Sequence, residues 1–220
     1  MRIGCLQFAP QVGDIDNNLN RADAVLSRSN QEDLDQVDLL VLPELAFTGM
    51  LDDVALSSPR GPRLLDADSG AGYNFESLQQ ISPFLEPAGS GISALWARTT
   101  ALKYNCTVVV GYPEKVDVTP KWPTSPEYYN SAIVVNGDGE TIANYRKQFL
   151  YATDETWALE GGGGFFDGHI AGLGHTTIGI CEYPSGPGLT PRLEACQLTG
   201  CQAWTSSQPC PYATNFGMSC

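Results

Sequence analysis

Apolar and polar positions fall in blocks along the chain, and each block predicts an element. Ile3, Cys5, Leu6 and Phe8 make residues 2–9 read as a buried strand that Pro10 stops. Over 16–29, Leu19, Ala22, Val25 and Leu26 recur on one helical face, and Asp16 or Asn17 can cap it. Val37 to Leu42 is a nearly continuous apolar run, suited to a strand covered on both faces, and Pro43 ends it. Residues 52–74, rich in Asp, Ser, Pro and Gly, read as a long loop. Helical spacing returns over 90–104 through Ile92, Leu95, Trp96, Thr99 and Leu102. Residues 106–111 form another buried strand around Val108-Val109-Val110, and the prolines of 113–126 predict a second loop.

Two apolar runs, 129–135 and 140–146, flank Asn136-Gly137-Asp138-Gly139, a strong hairpin signal. The glycines 161–164 must be loop, and 165–170 and 176–180 are the last clear strands. Early alternation of helices and strands with a central hairpin predicts a mixed α/β sheet domain. At 220 residues one core is expected.

After Cys181-Glu182 the texture changes. Residues 183–220 hold four of the seven cysteines, five of the fifteen prolines and, as charged residues, only Arg192 and Glu194. The expected organisation is therefore a core over 1–182 and an atypical, poorly ordered Pro/Cys-rich tail over 183–220. A net charge of −13 works against a phosphate-binding surface, so no nucleic-acid partner is expected. No apolar run reaches the roughly 18 residues of a membrane span, so no membrane partner is expected either. The opening Met1-Arg2-Ile3-Gly4-Cys5 has neither a signal peptide's apolar stretch nor a transit peptide's composition, which predicts a cytoplasmic location. There is no CxxC or HxxxH pair for zinc. Gly172-Leu173-Gly174-His175-Thr176-Thr177 lacks the third glycine of a dinucleotide loop.

Three residues at the ends of strand-like runs can carry chemistry. Glu44 follows Pro43 at a sheet rim, where desolvation raises a carboxyl toward general-base range; the plainer reading is a solvated loop acid. Lys147 closes the second hairpin strand and can equally be an edge lysine that blocks aggregation. Cys181 follows Ile180 at a strand-to-turn junction, where a neighbouring base would make it a nucleophile; the plainer reading is a buried structural cysteine. A Cys–His pair with His169 or His175 is also open.

Taken in order, Pro43-Glu44-Leu45-Ala46-Phe47-Thr48-Gly49, Tyr145-Arg146-Lys147 and Gly179-Ile180-Cys181 resemble the nitrilase superfamily of carbon–nitrogen hydrolases. Residues 3–14 resemble that family's first strand and turn, and 16–20 the entry to its first helix. Lys147-Gln148-Phe149-Leu150-Tyr151 with Thr153-Asp154-Glu155-Thr156-Trp157 resembles its fungal branch acting on protein N-terminal asparagine. The resemblance covers roughly residues 1–182. It implies a four-layer αββα sandwich and a Glu–Lys–Cys triad: Cys181 as nucleophile, Glu44 as base, and Lys147 with the Glu182 backbone N–H stabilising the oxyanion. A second acid after the lysine is carried over to Glu155, with Asp154 as rival. No cofactor is implied.

The expected reaction is deamidation of an N-terminal Asn or Gln with ammonia release. Other small amides, ureido acids or nitriles are the alternative substrates. The expected partners are then a peptide N-terminus or small amide, and further copies of the chain in a homo-oligomer. In relatives the nucleophile strand continues into further strands and helices, whereas Glu182-Tyr183-Pro184-Ser185-Gly186-Pro187 does not follow that pattern. The core is thus expected to be incomplete at its C-terminal side, and a catalytically inactive protein is the competing reading.

Overall fold

The structure of the protein is a computed structural model that describes residues 1–49, 75–117, 126–151 and 153–180, with backbone alone at 201–205. Its elements in order are β1 (Ile3–Cys5), α1 (Ile15–Arg28), α2 (Gln31–Leu34), β2 (Leu39–Val41), α3 (Leu78–Ile81), β3 (Glu86–Pro87), α4 (Ile92–Tyr104), β4 (Thr107–Val116), β5 (Glu127–Val135), β6 (Thr141–Arg146), β7 (Phe166–Ile170), β8 (Gly174–Ile180) and β9 (Cys201–Thr205). Short 3-10 turns lie at Ser82–Phe84 and Asp154–Thr156. The loop expected at 52–74, residues 118–125 of the loop expected at 113–126, Cys181, Glu182 and most of 183–220 lie outside the described residues.

The first sheet runs β1-β2-β4-β5-β6, with β3 beside the far end of β4. β1, β2 and β4 are parallel, and β4, β5 and β6 are antiparallel. The second sheet, β7-β8-β9, is antiparallel. Strand alternation sends Leu40, Val108, Val110, Ile133 and Val135 toward α1 and α4. It sends Leu39, Val41, Val109, Ala132, Val134 and Tyr145 the other way, onto Ile170, Ile178 and Ile180 of the second sheet. The described residues therefore stack as helices, sheet and sheet, a mixed α/β fold.

Three expectations need correction. The first strand is short and exposed, with Ile3 at 46%, because β1 is the edge of its sheet. Helix α4 buries Ala94, Ala97, Ala101 and Trp96, while Leu95 and Leu102 stand 57% and 59% exposed. The small face goes inward because it lets the helix approach β4 and β5 closely. Residues 113–116 are strand rather than loop: β4 continues through Val116. Pro113 fits there because β2 has already ended and β3 starts pairing only at Glu114. Two other bounds differ slightly. The cap position of α1 is Asp14 rather than Asp16 or Asn17, and its side chain makes no capping bond. The central hairpin is Glu127–Val135 against Thr141–Arg146, with Asn136 Oδ1 accepting from the N–H groups of Asp138 and Glu140.

Candidate active site

Glu44 is held in a tight turn after β2. Pro43 stops β2, and Leu45 sits in the left-handed region at φ 47°. The Ala46 N–H then donates to the Gly111 carbonyl of β4 at 3.0 Å. Gly111 is required there. A Cβ on it would stand 2.7 Å from the Pro43 carbonyl oxygen and 2.8 Å from Glu44 Cα, both fixed backbone atoms. Asn18 of α1 braces the same turn from below: its Nδ2 donates to Phe47 O at 2.8 Å, and its Oδ1 accepts from Gln11 N at 2.7 Å.

Lys147 is the residue after β6. Its N–H donates to the Asn130 carbonyl at 2.8 Å, and its own carbonyl accepts from Gly161 N–H at 2.9 Å. A side chain at Gly161 would run into the Arg146 carbonyl. Arg146 and Lys147 project to opposite faces of the sheet. Arg146 meets Glu114 on the helix face at 2.7 Å, where Ser131 and Asn144 also donate to that carboxylate. Lys147 turns to the inter-sheet face and is completely buried.

There Lys147 Nζ bridges two carboxylates, Glu44 Oε1 at 2.9 Å and Asp154 Oδ2 at 2.7 Å. Both acid side chains are 1% exposed. Asn130 Nδ2 reaches Glu44 Oε1 at 2.5 Å and Asp154 Oδ1 at 3.4 Å. The Tyr151 N–H also donates to Asp154 Oδ2, at 3.2 Å. Burial pushes the Glu44 carboxyl above the usual carboxylate range; Lys147 opposes this, and Asp154 adds to it. Burying two acids and one ammonium is a poor way to stabilise a fold, so a buried charge cluster of this kind points to chemistry.

Glu44 and Lys147 meet, and neither the solvated-acid nor the edge-lysine reading survives their burial. Glu155 is exposed and does not join them; Asp154, its rival, does. The tight 3-10 turn over Asp154–Thr156 puts the first of its two adjacent acids inward and the second in solvent. Cys181 and Glu182 lie outside the described residues. The strand ahead of them, β8, packs Ile178 and Ile180 into the same inter-sheet core that Lys147 faces. His169 and His175 are opposite one another on the outer face of the second sheet, and His175 stands 3.3 Å from Asp167 in solvent.

Sequence reasoning missed Asn130 and Asn18. The signal at Asn130 was a polar residue on the same strand face as Ala132 and Val134, which needs a buried partner. A cavity of about 420 Å³ opens beside Arg146, glycines 161–164 and Phe166, but Glu44, Lys147 and Asp154 do not line it. Among the described residues, no group of three His, Cys, Asp or Glu is placed to hold a metal ion, and no helix is long and apolar enough to cross a membrane.

Against known proteins, a family model described as carbon-nitrogen hydrolase matches residues 2–178. The protein N-terminal amidase of Schizosaccharomyces pombe is 31% identical over 183 residues, covering 82% of this chain and 54% of the relative. Crystal structures of an N-terminal amidase with Asn-Glu-Ala and with Gln-Gly peptides superpose with TM-scores of 0.59 and 0.58. Each is 28% identical, over 76% of this chain and about a third of theirs (33% and 32%). The chain thus spans about half the length of the yeast relative.

Proposed function

The chain belongs to the carbon–nitrogen hydrolase family, and from that premise we propose that it hydrolyses the side-chain amide of an N-terminal asparagine or glutamine, releasing ammonia. The observation that carries the reading is the fully buried Lys147 ammonium held between Glu44 and Asp154. The peptide complexes of the similar amidase support the substrate class.

In this mechanism Glu44 takes the thiol proton of Cys181, and the sulfur attacks the carboxamide carbon. The carbonyl oxygen becomes an oxyanion, met by Lys147 Nζ and the Glu182 N–H. Collapse breaks the carbon–nitrogen bond. The leaving nitrogen takes the proton from Glu44 and departs as ammonia, which leaves a thioester on Cys181. Glu44 then removes a proton from water as its oxygen attacks the thioester. The second oxyanion collapses by breaking the carbon–sulfur bond, the expelled Cys181 thiolate takes the proton back from Glu44, and the acid product leaves. Asp154 keeps Lys147 charged and in place throughout. A raised Glu44 carboxyl suits both proton transfers, because its basicity lies closer to neutral pH.

The test is ammonia release from an Asn-Glu-Ala peptide by the chain and by Cys181→Ala, Glu44→Gln and Lys147→Met. Release by the unaltered chain that falls at least about 10³-fold in each variant supports the reading. No release from the folded chain, or release that survives Cys181→Ala, overturns it.

A further inference from the structure

Both hydrogen bonds to Glu44 converge on one oxygen. Oε1 accepts from Lys147 Nζ at 2.9 Å and from Asn130 Nδ2 at 2.5 Å, and among the described residues nothing bonds Oε2. Asn130 touches all three members of the cluster: Glu44 and Asp154 through its amide nitrogen, and Lys147 through its backbone carbonyl. It is completely buried. Its own Oδ1 has no partner among the described residues.

An unpaired buried amide oxygen is costly, so stability alone favours an apolar residue of this size at position 130. The amide does what an apolar residue cannot. A neutral N–H donor next to two carboxylates holds them without adding charge. Among the described residues, the charged groups facing Glu44 are Lys147 after β6 and Asp154 of the 3-10 turn, while β5 contributes the neutral Asn130. The Arg146–Glu114 pair is on the other face of the sheet.

We propose that Asn130 is a positioning residue that pins Oε1 of Glu44, leaving Oε2 as the oxygen that accepts the proton of the Cys181 thiol and later that of water. The inference rests on the reading of Glu44 as base and Cys181 as nucleophile. Losing the Asn130 donor removes a hydrogen bond to the charged carboxylate. Glu44 then holds its proton to higher pH, and the acid limb of Cys181 reactivity moves up.

The test is alkylation of the full chain by iodoacetamide across pH, with the rate at Cys181 read by peptide mass mapping. It needs no turnover. Cys106 is an internal control for folding, because burial, with Asp38 adding to it, pushes its thiol up to about 11 and keeps it inert. Glu44→Gln should remove the acid limb. Asn130→Ala should shift it up by about one pH unit or more, equivalent to a tenfold or greater loss of rate below the midpoint. Asn130→Asp keeps the shape but adds a third acid, and should shift it further.

If Glu44→Gln removes the limb but neither Asn130 variant moves it, the positioning role is overturned. So it is if both variants expose Cys106 to alkylation, because Asn130 then serves folding alone. If Glu44→Gln leaves the Cys181 profile unchanged, the functional reading itself fails.

Discussion

Adjacent acids at 154 and 155 give a sharp contrast. Asp154 is buried, with Oδ2 2.7 Å from Lys147 Nζ, whereas Glu155 is exposed. Removing Asp154 leaves the Lys147 ammonium with Glu44 as its one carboxylate partner among the described residues. Breaking a buried pair by deleting one member costs about 3–5 kcal/mol. With a urea m-value of about 2 kcal/mol per molar, Asp154→Ala should lower the unfolding midpoint by about 1.5–2.5 M. Glu155→Ala changes an exposed side chain and should stay within about 0.5 kcal/mol, or about 0.25 M. Asp154→Asn keeps the shape and an acceptor for Lys147 but removes the charge. Because Asp154 pushes the Glu44 carboxyl up, that variant should lower it and move the acid limb of activity to lower pH. The assay is urea unfolding followed by tryptophan fluorescence, with a pH–rate profile for Asp154→Asn. Equal losses at 154 and 155, or an upward shift in Asp154→Asn, would refute the reasoning.

Other outcomes follow from the same geometry. Gly111→Ala forces the Pro43–Glu44 backbone away by about half an ångström, the tolerance of a catalytic group, so kcat should fall at least about tenfold; an unchanged kcat contradicts the packing. Glu44 has a raised carboxyl in the fold, so its ionisation costs stability as pH rises through the window above its ordinary 4.5. Glu44→Gln should therefore gain on the unaltered chain as pH rises from 4.5 to neutrality in thermal melts. Glu114 behaves oppositely. Burial pushes its carboxyl up, but the hydrogen bonds from Arg146, Ser131 and Asn144 bring it below the ordinary 4.5. Its contribution is full above that pH and is lost as pH falls through the lowered value. Glu114→Gln should cost about 2 kcal/mol at pH 7, a modest figure because the Arg146 side chain is 34% exposed, and less near pH 3.

Much of this site is written in local pattern. An apolar run stopped by Pro43 fixes where Glu44 falls, and the Asn136–Gly139 turn fixes the register that puts Lys147 beside Asn130. What the sequence hid depends on packing. Helix α4 has apolar residues on both faces, and only the close approach of the sheet selects the alanines over Leu95 and Leu102. The prolines of 113–126 hid the last residues of β4, because a proline is tolerated where a neighbouring strand has ended. Spacing could not separate Asp154 from Glu155, since a single residue in a 3-10 turn decides which acid points inward. Asn130 was hidden inside an apolar strand, and its meaning appears only once Glu44 and Lys147 are beside it.

Acid-quenched mass spectrometry during incubation with an Asn-Glu-Ala peptide tests most directly whether Glu44, Lys147 and Cys181 form one working site. The account predicts an acyl group, the peptide less ammonia, on the Cys181 thiol. It should be absent in Lys147→Met. Ammonia release with the acyl group on another residue, or adduct formation that does not need Lys147, would contradict it.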